Sequence, residues 1–359
     1  MRGVRHHRTT RTAGLAAVAA AALALAACSS GDSSAPSSTP AAASSSTSAA
    51  AASETPSASP TVDTGIPAGA SPFSGRAGGA GKRVLVVKYD NTLNAQPQTG
   101  LKDADIVYIE EVEYGLTRIA AVFSTKLPPV VGPVRSARIS DIDLLAQFGK
   151  PAFAYSGSQH RLRPVLARAS IYDVSGDMGP AGYFRDLHRP APYNFMGKPA
   201  ELMKRAPHAS VARDIGFVFA VPTPSGGVKV HSAKVPYPAS SAQFVWDSAA
   251  KSFDVSMNGR PARATEGGIQ HATTVVLQFV KQRDSGYHDK FGGRTPLLTT
   301  TGTGKAWVLR DGRAYLATWS RPVATGGTTF TDKAGNVIDF APGQVWVALV
   351  NRSAKVTFG

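Results

Sequence analysis

The sequence predicts an α+β protein: a mixed α/β N-terminal domain over residues 81–222, followed by a smaller β-rich domain over residues 223–359. Three observations carry that expectation. In the first region, β-branched runs alternate with stretches whose apolar residues recur at helical spacing. Beyond about Val221 the helical spacing stops, and short strand-like runs are joined by turn pairs. Between the two lies "VPTPSGG", which has the composition of a boundary.

The N-terminus sets the compartment. Arg2, Arg5, Arg8 and Arg11 precede an apolar run from Leu15 to Ala27. Its thirteen residues are too few to span a bilayer, which takes about 20, but they suit the apolar core of an export signal. The run ends Leu25-Ala26-Ala27-Cys28, and Cys28 is the only cysteine of the chain. This arrangement resembles the lipobox of bacterial lipoproteins. The resemblance implies a signal peptide over residues 1–27 and a lipidated Cys28 that anchors the protein to the membrane outside the cytoplasm. No thiol then remains for a disulfide, so stability must come from burial. Residues 28–80 are almost all Ser, Ala, Pro, Thr and Gly, a composition unable to bury a core. They are expected to form a disordered tether, on the order of 40 Å across as a coil.

The precursor carries +15, with 39 basic and 24 acidic residues, and four of the positives leave with the signal peptide. The mature chain is therefore +11, and residues 81–359 alone hold +13. That excess favours anionic partners such as wall polymers, lipid head groups or an acidic envelope protein. Nucleic acid is excluded by the compartment and by the absence of a basic run or an aromatic-interleaved basic motif. The sequence carries no signal for oligomeric state.

Order is expected to begin at "KRVLVVKYDN", where a β-branched run ends in an Asp-Asn turn. "ADIVYIEEVEYG" and "LTRIAAVFST" read as the next two strands. "SARISDIDLLAQF" has apolar residues at 139, 142, 145 and 146 and reads as an amphipathic helix, with Ser136 as its N-cap. "PAFAYSG" reads as a strand, "QHRLRPVLARA" as a short helix with Pro164 in its first turn, and "IYDVSG" as a strand. "KPAELMKRA" opens with Pro199 at the start of a helix. In the second region "QFVWDSAAKSFDVSMNG" reads as one hairpin. "AWVLRDGRAYLATW" is a second, turning at Asp311-Gly312, and "TTFTDKAGNVIDFAPGQVWVALV" a third. Trp307, Trp319 and Trp346 supply the apolar area for a sandwich or barrel-like core.

Four stretches, "NAQPQTGLKDADIVYIEEVEYGLTRIAAVFS", "GPVRSAR", "APYN" and "FTDKAGNVIDFAPGQVWV", together resemble the YerB-like family of bacterial lipoproteins, over roughly residues 82–350. The resemblance implies a two-part domain on a membrane-anchored lipoprotein. It implies no activity, because the family is characterised by its sequence. "APYN" departs from the pattern: Tyr193 stands where a histidine is expected, which puts a metal or acid–base role there in doubt.

Arg135 and Arg138 lie three apart, so on a helix they share a side. Near a helix N-terminus such a pair suits a carboxylate or phosphate, and Arg118 joins them if its strand ends nearby. The competing expectation is structural pairing with Asp141, Asp143 or the Glu110–Glu113 cluster. Strand alternation puts Glu111 and Glu113 on one face and Glu110 on the other. "YSGSQHR" sets Ser156, Ser158 and His160 in a strand-to-helix turn, where Ser158 reads as an N-cap rather than a nucleophile. "FRDLHRPAPYN" gathers Arg185, His188, Arg189 and Asn194 in a proline-broken loop. No zinc spacing, phosphate loop or dinucleotide fingerprint occurs, so no metal or cofactor is expected.

These residues lead to a non-catalytic binding module for an anionic envelope ligand or partner protein. Its candidate site is Arg118, Arg135 and Arg138, with His160, Arg185 and Asn194 as further contributors. One alternative is an envelope hydrolase that pairs Glu111 or Glu113 with His160. The other is a scaffold lipoprotein, which would expose a large apolar patch.

Overall fold

A computed structural model describes residues 64–359. The expected signal peptide, Cys28 and the tether up to residue 63 lie outside the described residues. Part of the expected tether is packed instead. Phe73 is fully buried, with its ring 5.3 Å from that of Phe148.

The first half is built on β1 (Leu85–Asp90), β2 (Ile106–Glu111) and β3 (Thr117–Phe123), each apolar enough to be covered on both faces. β3 pairs antiparallel with both of the others. The chain then forms α1 (Ser140–Ala146), β4 (Ala152–Ala154), α2 (Arg163–Arg168) and β5 (Tyr172–Asp173). β4 runs parallel to β1, and β5 parallel to β4. A small hairpin, β6 (Tyr183–Arg185) and β7 (Phe195–Gly197), precedes α3 (Pro199–Lys204). Strands dominate throughout, since the three α-helices have seven, six and six residues.

The helix expected from Ser136 starts at Ser140, with Ile139 rather than Ser136 in the capping position. Residues 131–137 are already committed to extended backbone pairing, so they are not free to coil. Ser158 is not the cap either: Gln159 precedes the 3₁₀ turn His160–Leu162, and the buried Ser158 hydroxyl has no hydrogen-bond partner among the described residues.

The second half contributes β8 (Val228–Lys229), β9 (Ser232–Tyr237), β10 (Ser240–Asp247), β11 (Ser252–Met257), β12 (Arg260–Pro261) and β13 (His271–Ala272). There follow the fifteen-residue β14 (Thr274–His288), β15 (Arg294–Thr299), β16 (Gly302–Arg310) and β17 (Arg313–Arg321). The chain closes with β18 (Thr329–Thr331), β19 (Val345–Asn351) and β20 (Thr357–Phe358). The hairpins β10–β11 and β16–β17 form as expected. Asp311 and Gly312 take φ values of 51° and 66°, the two positive angles a type I′ turn requires.

The third expected hairpin does not form. β18 pairs with β17, while β19 leaves it and lies parallel between β14 and β2. The reason is legible in its residues: VWVALV is apolar on both faces and buried along its length, the pattern of a central rather than an edge strand. β19 thereby joins the strands of both halves into one twelve-stranded sheet, with the main path β18-β17-β16-β14-β19-β2-β3-β1-β4-β5.

A second, six-stranded sheet of β9–β13 and β20 covers one face, with Phe244 edge-on to Trp346 at 6.3 Å. α1, α2 and residues 212–219 cover the other face, where Trp319 is buried. Trp307 is half-buried, 5.1 Å from Phe358.

Asp105, fully buried before β2, ties these parts together. Its carboxylate accepts from the Ser74 hydroxyl (2.6 Å), the amides of Ser124 and Thr125 (2.8 and 2.9 Å) and both of their hydroxyls. Asp105→Ala strands several buried donors at once and is expected to cost about 3–4 kcal/mol in urea unfolding. Asp105→Asn, which keeps part of the acceptor set, should cost visibly less.

Candidate functional site

Alternation along the first three strands puts Lys88 and Asp90 of β1, Glu110 of β2 and Arg118 of β3 on one face. The register sets Arg118 opposite Asp90 on one side and opposite Glu110 on the other. The apolar residues between them hold this end of the sheet in the core, so all four are buried. β4 stops pairing with β1 at Val87, and the "GPVRSAR" segment takes its place along the edge. The Asp90 amide donates to Pro133 O, and the Arg135 amide to Lys88 O. On the segment's far side, Ser156 and Gly157 pair with Arg135 and Ala137. Arg135 therefore projects from extended backbone, while Arg138 directly precedes α1, its carbonyl accepting from the Asp141 amide.

Two layers of charge result. In the deeper one, the Lys88 ammonium contacts Glu110 and lies 2.8 Å from Asp141 Oδ1. All three side chains are excluded from solvent. Burial lowers the Lys88 pKa, but Asp141 and Glu110 outweigh it and leave the pKa raised. Burial and the neighbouring Asp141 push the Glu110 carboxyl up. Among the described residues Glu110 Oε1 and Asp141 Oδ1 have no well-aligned hydrogen-bond partner. Two buried carboxyl groups thus share one ammonium, so ionising both leaves a negative charge in excess inside the sheet.

In the upper layer, three guanidiniums meet two carboxylates. Arg135 Nε donates to Asp90 Oδ2 at 2.5 Å, and Arg118 Nη1 lies 3.7 Å from Asp90 Oδ1. Asp90 Oδ1 also accepts from the amide and hydroxyl of Thr92. Burial pushes the Asp90 carboxyl up, but Arg118 and Arg135 prevail and hold it below its ordinary range. Arg138 grips Glu113 as a fork, Nε to Oε1 at 2.7 Å and Nη2 to Oε2 at 2.6 Å. Glu113 accepts in addition from the Thr295 hydroxyl of β15. Its carboxyl too is held down, with Arg138 overcoming the cost of burial.

Arg118, Arg135 and Arg138 are thus brought together, each paired with a carboxylate. Asp90, the shared partner of two of them, was missed in the sequence, although a charge at every second position of an apolar strand signals a buried ion pair. Asp143 is exposed and takes no part. Glu113 does not stay with Glu111. The chain leaves β2 at Val112, and Tyr114 adopts a φ of 60°, which carries Glu113 to Arg138 while Glu111 accepts from Gln282. Arg185 and Asn194 join the cluster's margin. Arg185 Nη1 donates to Asn194 Oδ1 at 2.8 Å, and the Val134 amide donates to Phe195 O beside them. The Arg135 guanidinium stands 5.7 Å from the Tyr193 ring. His160 is exposed and hydrogen-bonds to none of these groups; the neighbouring Gln159 reaches Thr295 instead.

The arrangement leaves one guanidinium in excess. Arg138 and Arg118 are 13% and 10% exposed, whereas Arg135 is 26% exposed. Among the described residues Arg135 hydrogen-bonds through Nε alone, and its guanidinium lies 5.7 Å from the Tyr193 ring.

Two family models match the chain. The N-terminal domain of DUF3048, a protein of unknown function, matches residues 73–212, and the DUF3048 C-terminal domain matches residues 233–347. "Putative lipoprotein YerB" of Bacillus subtilis (strain 168) is 24% identical over 281 residues, which cover 75% of this chain and 81% of the relative. The crystal structure of the YerB protein from Bacillus subtilis superposes with a TM-score of 0.68 at 20% identity, covering 80% of this chain and 99% of that one. That structure speaks for the fold.

The deeper layer makes a prediction with a definite sign. The raised Glu110 pKa means that ionising it opposes folding. Its stabilisation is full below the ordinary carboxylate pKa and is lost as pH rises through the raised value. Asp90 and Glu113, held down, act the opposite way and lose their contribution as pH falls. Urea unfolding from pH 3 to 8 should show Glu110→Gln flattening the decline on the high-pH side while the acid-side loss persists. Lys88→Met, which leaves two carboxylates buried without a cation, should cost roughly 3–5 kcal/mol at neutral pH.

Proposed function

The chain belongs to the YerB-like lipoprotein family, and from that premise we propose that it is a membrane-tethered envelope protein that binds an anionic ligand without transforming it. The observation that carries this reading is the surplus guanidinium at the cluster's rim. Among the described residues the Arg135 terminal nitrogens make no hydrogen bond, and the guanidinium stands by the Tyr193 ring, an arrangement suited to a carboxylate or phosphate fork. Asp90 fixes Arg135 from behind, so little side-chain freedom is lost on binding. The described residues carry 35 basic and 21 acidic side chains, a net +14 that draws anionic polymers or lipid surfaces toward the site. The hydrolase alternative has less support. Glu113 is engaged by Arg138 and Thr295 and Glu111 by Gln282, and no hydrogen bond links either to His160.

On the folded protein, Arg135→Ala should weaken binding to a phosphate-bearing wall polymer about tenfold, the effect of one lost charge-assisted contact. The unfolding midpoint should fall as well, because the buried Asp90 then keeps only Arg118, at 3.7 Å, and Thr92, so affinity is compared at a temperature where the variant is folded. Unchanged affinity in a folded variant would make Arg135 a structural clamp and end the proposal. Cys28→Ser should shift the protein from the membrane fraction to the soluble fraction after cell lysis. Retention in the membrane would rule out Cys28 as the anchor.

A further inference from the structure

The six-stranded sheet ends at β20, which pairs with β9 on one side and with no strand on the other among the described residues. Gly359 exchanges two backbone hydrogen bonds with Ser232. By the alternation of an antiparallel ladder, Val356 and Phe358 therefore turn their N–H and C=O groups to the open side. The outer edge of β15 is different, because α1 already uses it: the Ser140 hydroxyl accepts from the Leu298 amide at 2.9 Å.

Beside the β20 edge lies a part of the twelve-stranded sheet that the second sheet leaves uncovered. β16 and β17 run past it, with Trp307 and Leu316 opposite each other in register. The Trp307 ring is half-buried, 5.1 Å from that of Phe358, and Leu316 is 53% exposed. A strand laid beside β20 would give these side chains the cover that β9 and β10 give to the middle of the sheet.

Where the chain enters β20, a concavity of about 640 Å³ is lined by Phe279, Lys305, Arg352, Ala354, Lys355 and Val356. It holds three cations and no acid. None of the three forms an ion pair among the described residues. The Lys305 ammonium sits over the rings of Phe279 and Trp307, at 5.7 and 5.5 Å, which orients the charge without neutralising it. Arg352 is steadied by donating from Nη2 to Thr303 O at 3.1 Å. Lysines at an open edge repel a second copy of the same edge and attract a strand of opposite charge. A glycan or a lipid head group would meet the cations but leave the backbone groups of the edge and Leu316 without partners.

We propose that the open edge of β20 takes up an extended acidic peptide segment of a partner protein as a further strand of the sheet. Its apolar side chains lie over Trp307 and Leu316, and its carboxylates meet Lys305, Arg352 and Lys355. The proposal does not rest on Arg135. Fluorescence anisotropy tests it on the full mature chain carrying Cys28→Ser, with a labelled peptide of two glutamates followed by alternating valine and threonine. Saturable binding is expected. Changing both glutamates to glutamine, or combining Lys305→Ala with Lys355→Ala, should weaken it about tenfold. Methylating the peptide's backbone nitrogens should abolish it, since strand addition needs those donors. Val356→Pro removes a donor from the open side and none from the β9 ladder, so it should weaken binding several-fold relative to Val356→Ala. Arg135→Ala should leave the affinity unchanged. Absence of saturable binding overturns the proposal, as does equal binding of the methylated or the glutamine peptide. A dimer in light scattering that the peptide does not dissociate would put a second copy on this edge and overturn it too.

Discussion

The position of β19 is the constraint on which the rest of the structure depends. A strand of seven residues near the C-terminus pairs in parallel on both sides, with β2 from the first half and β14 from the second. Its burial on both faces requires cover above and below, which the six-stranded sheet and the α1–α2 layer provide. Gln344, just before it, reaches back to accept from the Trp346 indole and donate to Leu101 O and Ala104 O. The large sheet is closed across its middle only once this late segment is in place.

The first half's charged residues make sense within that frame. A sheet buried on both faces has no solvent to receive Lys88, Asp90, Glu110 and Arg118, so each must find its counter-charge inside. The "GPVRSAR" segment and the first turn of α1 supply what the strands lack: Arg135 for Asp90, Asp141 for Lys88 and Arg138 for Glu113. Most of the motif's charge is spent on holding the sheet edge. What remains for a ligand is the outward part of Arg135.

Local patterns were legible in the sequence, and distant pairings were not. The β-branched runs of β1 to β3, the Asp311-Gly312 turn and the proline-opened starts of α2 and α3 follow from propensity and turn chemistry over a few residues. The placement of β19 depends on partners more than sixty residues away, and a local reading turned it into a hairpin with its neighbour. The same limit governs the cluster. Arg118, Arg135 and Arg138 stood out as arginines near element ends, but Asp90 was absorbed into a turn signal. The helical spacing after Ser136 was real, yet tertiary hydrogen bonds hold the backbone extended as far as Ala137, and the helix starts at Ser140.

Thr295 belongs to β15, in the second half, yet its hydroxyl completes the acceptor set of Glu113, which in turn holds Arg138. Gln159 of the first half reaches the same threonine and also accepts from the His288 amide. A lineage that exchanged one half for a distant relative's would inherit a cluster with a missing donor. The two halves are therefore expected to change together over evolutionary time, as a single heritable unit despite their separable sequence signatures.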